Sequence, residues 1–220
     1  SNEDVLRKTA LWLFERHPEM ANEMAGFLKK QLARAAALSN EERAELERQL
    51  AGFAHDPAVQ QVMTDALAAE ARATRWLVFD AIAGASVKKI PAAWGKAVEA
   101  ELAGRDEAVT RAALNAAHTL GRAAKSKAFN AALLKLAIDS KRSVELRLGA
   151  IAAITELSAP LDAGVFSFLQ MQVAPGQPAM RRAAAASQFA RAKLSGPQQL
   201  ARQCHCSQPK NLIVSLSLSL

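Results

Sequence analysis

Cys204, His205 and Cys206 are the one cluster of soft donor side chains in the sequence, and thiolate with imidazole is what a zinc ion takes. A tetrahedral site needs four ligands, usually in two spaced pairs, and no second pair accompanies these three. His17, His55 and His118 are scattered, and none shares a helix face with another histidine or a carboxylate at metal-ligand spacing. His17 and His55 adjoin Pro18 and Asp56, where capping and turn roles suffice for them. No Gly-rich phosphate loop, serine nucleophile elbow or paired-carboxylate arrangement is legible. The expectation is therefore no catalytic residue, no metal and no cofactor.

Two groupings of another kind remain. Arg75-Trp76-Leu-Val-Phe-Asp80 places an indole and a carboxylate one helical turn apart. Arg122, Lys125, Lys127, Lys135, Lys141 and Arg142 form a basic run with few acids among them. On turns of successive helices these side chains would make one positive ridge, an interaction surface for an acidic partner; a solvated helix face looks the same. The charge of the whole chain is lopsided in the same sense. Residues 1–70 carry eight basic and twelve acidic side chains, a net −4, whereas 71–220 carry twenty and nine, a net +11.

The elements that must position these groups are helices. Half of the residues are hydrophobic, aromatics are 5%, tyrosine is absent and alanine dominates the apolar set, which favours close-packed helices over a sheet. In the central stretch, Val109, Ala112, Ala113, Ala116, Ala117 and Leu120 behind Asp106 fall at steps of three and four, and Phe129, Ala132, Leu133, Leu136 and Ala137 repeat the spacing. Similar stripes predict helices over 4–16, over 18–32 behind Pro18, from the Ser39-Asn-Glu-Glu42 capping box to residue 54, behind Asp56-Pro57, over 71–84 and over 91–103. Further helices are expected over 142–157, from Pro160 onward with Val165, Phe168 and Leu169 inward, from Met180, and behind Ser195-Gly-Pro-Gln198.

Arg7, Arg43, Arg75, Arg111, Arg147 and Arg181 stand early in alternate helices at spacings of 36, 32, 36, 36 and 34 residues, so six helix pairs fit. Such regularity predicts an all-α solenoid, a right-handed superhelix of about five to six pairs over residues 1–203. The first two units are expected to be irregular, since Asp56-Pro-Ala-Val59 falls in a second helix on this phasing. Residues 204–220 change to alternating Leu and Ser with no partner strand, and a poorly ordered tail is expected there. No run approaches the ~18–20 apolar residues of a membrane span. The start at Ser1-Asn2, without initiator Met or signal pattern, reads as a piece of a longer chain.

Asp106-x-x-Val109-x-Arg111, echoed by Val144-x-x-Arg147 and Asp4-Val5-x-Arg7, resembles HEAT repeats, in which an Asp caps the first helix, a Val packs inward and an Arg lies nearby. The tetratricopeptide pattern, its competitor by length, lacks its Trp and Gly-Tyr anchors here. Trp12-Leu-Phe-Glu-Arg-His-Pro18, Pro91-Ala-Ala-Trp94, Leu146-Arg-Leu-Gly-Ala150 and Ala192-Lys-Leu-Ser195 resemble the HEAT segment of large exported bacterial membrane-bound dehydrogenase proteins. In those a propeller precedes the repeats and a c-type haem domain with Cys-x-x-Cys-His follows. The resemblance implies a non-catalytic scaffold for protein–protein interaction, a spacer and docking segment between redox domains of a periplasmic or exported protein. Cys204-His205-Cys206 departs from the haem motif, and its spacing does not suit two thioethers. Trp76 and Asp80 invite a second comparison, because alkylpurine DNA glycosylases, also HEAT-type, place a Trp and an Asp one turn apart on a concave basic surface. That resemblance implies a nucleic-acid binder using the basic half, 71–203, although the other aromatic platforms do not align.

Overall fold

A computed structural model describes residues 18–120, 126–154, 157, 161–192, 194 and 196–199. Among them the elements are α1 (Pro18–Ala33), a 3-10 turn (Ala35–Ala37), α2 (Asn40–Phe53), α3 (Pro57–Leu67), α4 (Arg72–Gly84), α5 (Ala92–Leu102), α6 (Glu107–Leu120), α7 (Lys127–Ile138), α8 (Val144–Ala153), α9 (Ala163–Val173) and α10 (Ala179–Arg191). The described residues contain no strand, so the chain is all-helical there. The helix expected over 4–16 and the tail from 204 lie outside the described residues; of the helix expected behind Ser195, residues 196–199 are described and helical.

Several helix starts have a local cause. Ser39 accepts from Glu42 N while the Glu42 carboxylate accepts from Ser39 N at 2.8 Å, the reciprocal box read from the sequence. Asp56 accepts from Ala58 N and Val59 N with Pro57 in the first turn, Asp106 from Ala108 N and Val109 N, and Ser126 from Phe129 N. Each such cap is worth about 1 kcal/mol, because it satisfies amide donors that the helix itself leaves open.

The caps also recur. Asp56, Pro91, Ser126 and Asp162 open α3, α5, α7 and α9 at intervals of 35, 35 and 36 residues. Ser39, Ala71, Asp106, Ser143 and Pro178 open the alternate helices α2, α4, α6, α8 and α10 at 32, 35, 37 and 35. Two interleaved sets of helices therefore share one period. The short first interval falls where the sequence has its shortest arginine spacing.

The chain divides into two compact units, Ser1–Ala124 and Lys125–Leu220. In the first, α2, α4 and α6 pack side by side, α1, α3 and α5 form a second row, and the rows meet through α1–α2, α3–α4 and α5–α6. Leu28, Leu50, Met63, Leu77, Ile82, Trp94, Val98 and Leu120 are buried between them. Inside the second unit α7 packs on α8 and α9, and α10 on α8 and α9, around Leu133, Leu146, Ile151, Phe168 and Leu169. Of the residues expected to face inward on α6, Val109, Ala112, Ala113, Ala116, Ala117 and Leu120 are all buried.

Polar groups inside these rows find partners one period away. Trp94, fully buried, donates its indole N–H to Thr64 Oγ1 at 3.1 Å. Thr119 donates to the Ala83 carbonyl, 36 residues back, and Arg181 to the Glu145 carboxylate across the same interval. A second device uses arginine as a stopper for the preceding helix: Arg75 donates to the Ala69 and Glu70 carbonyls beyond α3, and Arg147 to the Ala137 carbonyl at the end of α7. Carbonyls at a helix C-terminus lack intrahelical donors and carry partial negative charge, so a guanidinium suits them twice over.

Two expected boundaries are corrected. The helix expected over 142–157 is α8, ending at Ala153, because the backbone becomes extended at Ile154 while Arg191 donates to the Ala152 and Ile154 carbonyls. The helix expected from Pro160 begins instead at Ala163, where the Asp162 carboxylate accepts from Gly164 N and Val165 N. No described helix is long and apolar enough to cross a membrane.

Candidate functional site

Trp76 and Asp80 lie on α4 where it packs against α2. The one-turn spacing sets the indole where it acts on the carboxyl, Trp76 opposing the rise that burial imposes on Asp80. Across the seam, the Arg43 guanidinium of α2 lies over the Trp76 ring, 4.9 Å from its centroid, a cation–π contact worth roughly 0.5–2 kcal/mol depending on exposure. Arg43 Nε is buried with no hydrogen-bond acceptor, so the indole face is what receives this part of the cation.

Glu47, one turn beyond Arg43, completes the group. Burial holds its carboxyl above the ordinary carboxylate range, the Asp80 charge raises it further, and Arg43 pulls it partly back. Asp80 is also raised by burial, and Trp76 opposes this. Glu47 and Asp80 stand on neighbouring helices, near enough for the Asp80 charge to act on Glu47. Arg43 to Trp76 and Glu47 to Asp80 are both 33 residues, close to the repeat interval, and that was the signal by which the two α2 residues were findable.

A second polar group ties α4 to the α5–α6 corner. Arg72 pairs with the Asp106 carboxylate at 2.6 Å, and Arg75 with Glu101 at 3.5 Å, the Glu101 side chain being only 13% exposed. Burial raises the Glu101 carboxyl, Arg75 lowers it and Asp106 raises it. These contacts pair charges of α4 with those of its neighbours.

The basic run is partly within view. Arg122 and Lys125 lie outside the described residues. Lys127, Lys135 and Lys141 are exposed, while Arg142 is tucked in beside Asp139 at 3.5 Å with 15% of its side chain exposed. Lys127 and Lys135 stand at opposite ends of α7, so at 1.5 Å per residue they are about 12 Å apart along the helix. Lys135 sits in the last turn, where a cation complements the helix dipole.

The remaining candidates are a cavity and the metal donors. A half-open cavity of about 230 Å³ lies between the ends of α4 and α6 and the start of α5, with Ile82, Ala85, Val87, Ile90, Trp94 and Leu120 as its apolar lining and Ser86 and Thr119 as its polar members. The Thr119 hydroxyl is already donated to Ala83. Among the described residues no three His, Cys, Asp or Glu side chains gather as metal ligands; His17 and Cys204-His205-Cys206 lie outside them. Comparison with family models, with curated proteins and with solved structures gave no match to this chain.

Proposed function

We propose that this chain is a HEAT-like α-solenoid, a right-handed superhelix of about five to six helix pairs, that serves as a non-catalytic scaffold for protein–protein interaction. The observation that carries the reading is the recurrence of helix caps at about 35-residue intervals in two interleaved sets, together with the stacking of like helices within each unit. A helix pair of this size cannot bury its apolar stripe alone, and lining up copies solves that while leaving a long outer surface for partners. The polar clusters support the same reading, since Arg43, Arg72, Arg75 and Arg147 are engaged by neighbouring helices. Small-angle scattering tests the architecture. A compact globule of 220 residues has a radius of gyration of about 17 Å, and an extended array exceeds it. A value at or below the globule figure removes the proposal.

The narrower reading, a spacer and docking segment of a larger exported redox protein, rests on the resemblance carried by Trp12–Pro18, Pro91–Trp94, Leu146–Ala150 and Ala192–Ser195. Its test is co-purification of the segment with a propeller domain and a c-type haem domain encoded in the flanking frame. Loss of both from a salt-washed complex argues against docking.

The rival is nucleic-acid binding by 71–203, favoured by the basic excess there. The Trp76–Asp80 pair lends it less than the spacing promised, because Arg43 covers one face of the indole. Duplex DNA titrated at two salt concentrations separates the readings: no binding at low salt removes the rival, and a steep salt slope supports it.

A further inference from the structure

The cavity of about 230 Å³ in the first unit is walled by the end of α4 (Ile82), the connection that follows (Ala85, Val87, Ile90), the start of α5 (Trp94) and the end of α6 (Leu120). The Thr119 hydroxyl, bonded to the Ala83 carbonyl at 2.9 Å, ties the ends of α4 and α6 together. Trp94 gives its indole N–H to Thr64 of α3, so the ring offers the cavity carbon alone. Ser86 and Thr119, the polar members, are exposed. The interior is therefore apolar, with its hydroxyls at the solvent side.

Volume limits the occupant. An apolar cavity of about 150 Å³ takes a benzene ring, and pockets for drug-sized ligands begin at about 300 Å³. At about 230 Å³ this one admits a single ring with a short substituent. Charge limits it further. Residues 81–98 hold Lys88, Lys89 and Lys96 and no acid, and α6 from Ala108 to Leu120 holds Arg111 and His118 and no acid. Lys88 and Lys89 are exposed and stand between Val87 and Ile90, so the backbone of each adjoins a lining residue. The one acid of α4, Asp80, precedes Ile82 by two residues, which sets it about 200° round the helix from that wall.

We propose that the cavity binds a small aromatic carboxylate, its ring among Ile82, Trp94 and Leu120 and its anion at the Lys88–Lys89 rim. A ring suits the place better than an alkyl chain, because it gives up no rotamers on entry and its edge meets the Trp94 indole favourably. The site does not depend on the outer surface docking a protein.

The test is titration of the nitrogen-15-labelled full chain with phenylacetate, read by amide shifts, with phenylacetamide and hexanoate as comparison ligands. Phenylacetate is expected to shift Ala85, Val87, Ile90 and Leu120 saturably. At low salt it should bind about two- to fivefold tighter than the amide, an advantage that added salt removes. Lys88→Glu combined with Lys89→Glu should erase that advantage and leave phenylacetamide binding unchanged. Val87→Phe, which fills the cavity from the connecting loop, should weaken both ligands by about tenfold or more; the two exposed lysine changes keep the test decisive if this variant fails to fold. No saturable shift at about 10 mM, beyond the millimolar affinity expected of so small a ligand, overturns the proposal, and so do shifts confined to residues outside the lining. Hexanoate binding as tightly as phenylacetate overturns the aromatic assignment, and phenylacetamide binding as tightly at low salt overturns the anionic one.

Discussion

Arg147 shows how much a single side chain does in this molecule. Its Nε donates to the Ala137 carbonyl at 2.8 Å, and its guanidinium lies 3.7 Å from the Phe168 ring centroid, so one residue of α8 closes α7 and covers α9. Burial lowers its affinity for its proton, and Asp139 partly restores it. Arg147→Ala is expected to destabilise the second unit by about 2 kcal/mol, the sum of a charge-assisted hydrogen bond and a cation–π contact. Arg147→Lys recovers little, because an ammonium cannot stack flat while donating sideways. Urea unfolding followed by circular dichroism reads both.

Glu101 gives the matching prediction for acid. Its carboxyl is raised, chiefly by burial, so the folded state binds its proton more tightly than the unfolded chain does. This residue therefore opposes folding above its folded value and ceases to do so below the unfolded one. Glu101→Gln should reduce the gain in urea midpoint that wild type shows on mild acidification; an unchanged pH profile would show that Glu101 does not contribute. Gly104 guards the same corner. A Cβ there would stand 2.8 Å from the Glu101 carbonyl oxygen and press on its carboxylate, so Gly104→Ala is expected to cost about 1–3 kcal/mol through overpacking.

At the scale of the helix, the sequence was read correctly where the cause is local. The Ser39 capping box, the Asp56-Pro57 start and the inward stripes of α1 to α7 depend on residues a few positions apart, and periodicity exposes them. It failed where the cause is distant. The early end of α8 goes with Arg191, 37 residues beyond the Ile154 carbonyl it binds, whereas the start of α9 is a local miss, since Asp162 and not Pro160 caps it. The candidate site divides in the same way: Trp76 and Asp80 were legible as a one-turn pair, and Arg43 and Glu47 were not, since only the stacking of α2 on α4 brings them near. One helix start is left unimproved by its sequence. Ala71 occupies the N-cap of α4 with extended backbone and no side-chain acceptor, so Ala71→Ser is expected to add roughly 0.5–1 kcal/mol to the first unit, read as a higher melting temperature.

For the whole chain, charge is the property that divides most sharply. Residues 1–124 hold sixteen basic and seventeen acidic side chains, whereas 125–220 hold twelve and four. The second segment is therefore expected to dominate retention on a polyanion column at low salt. Several of its arginines, Arg147, Arg181 and Arg191, are spent on internal partners, so elution is expected at modest salt, near physiological strength rather than far above it. Neutralising Lys127, Lys135 and Lys141 together should abolish most retention without changing the melting temperature; a retention unaffected by the triple change would move the basic surface elsewhere.

The regular recurrence of the helix openers has a bearing on how such a chain lengthens. Asp56, Ser126 and Asp162 each offer an oxygen to the amides that follow, so a gene cut just ahead of one and rejoined just ahead of another keeps a competent start at the splice. Duplication or excision of about thirty-five codons thus leaves the junction chemically whole. The number of helix pairs becomes a quantity that recombination can adjust in discrete steps.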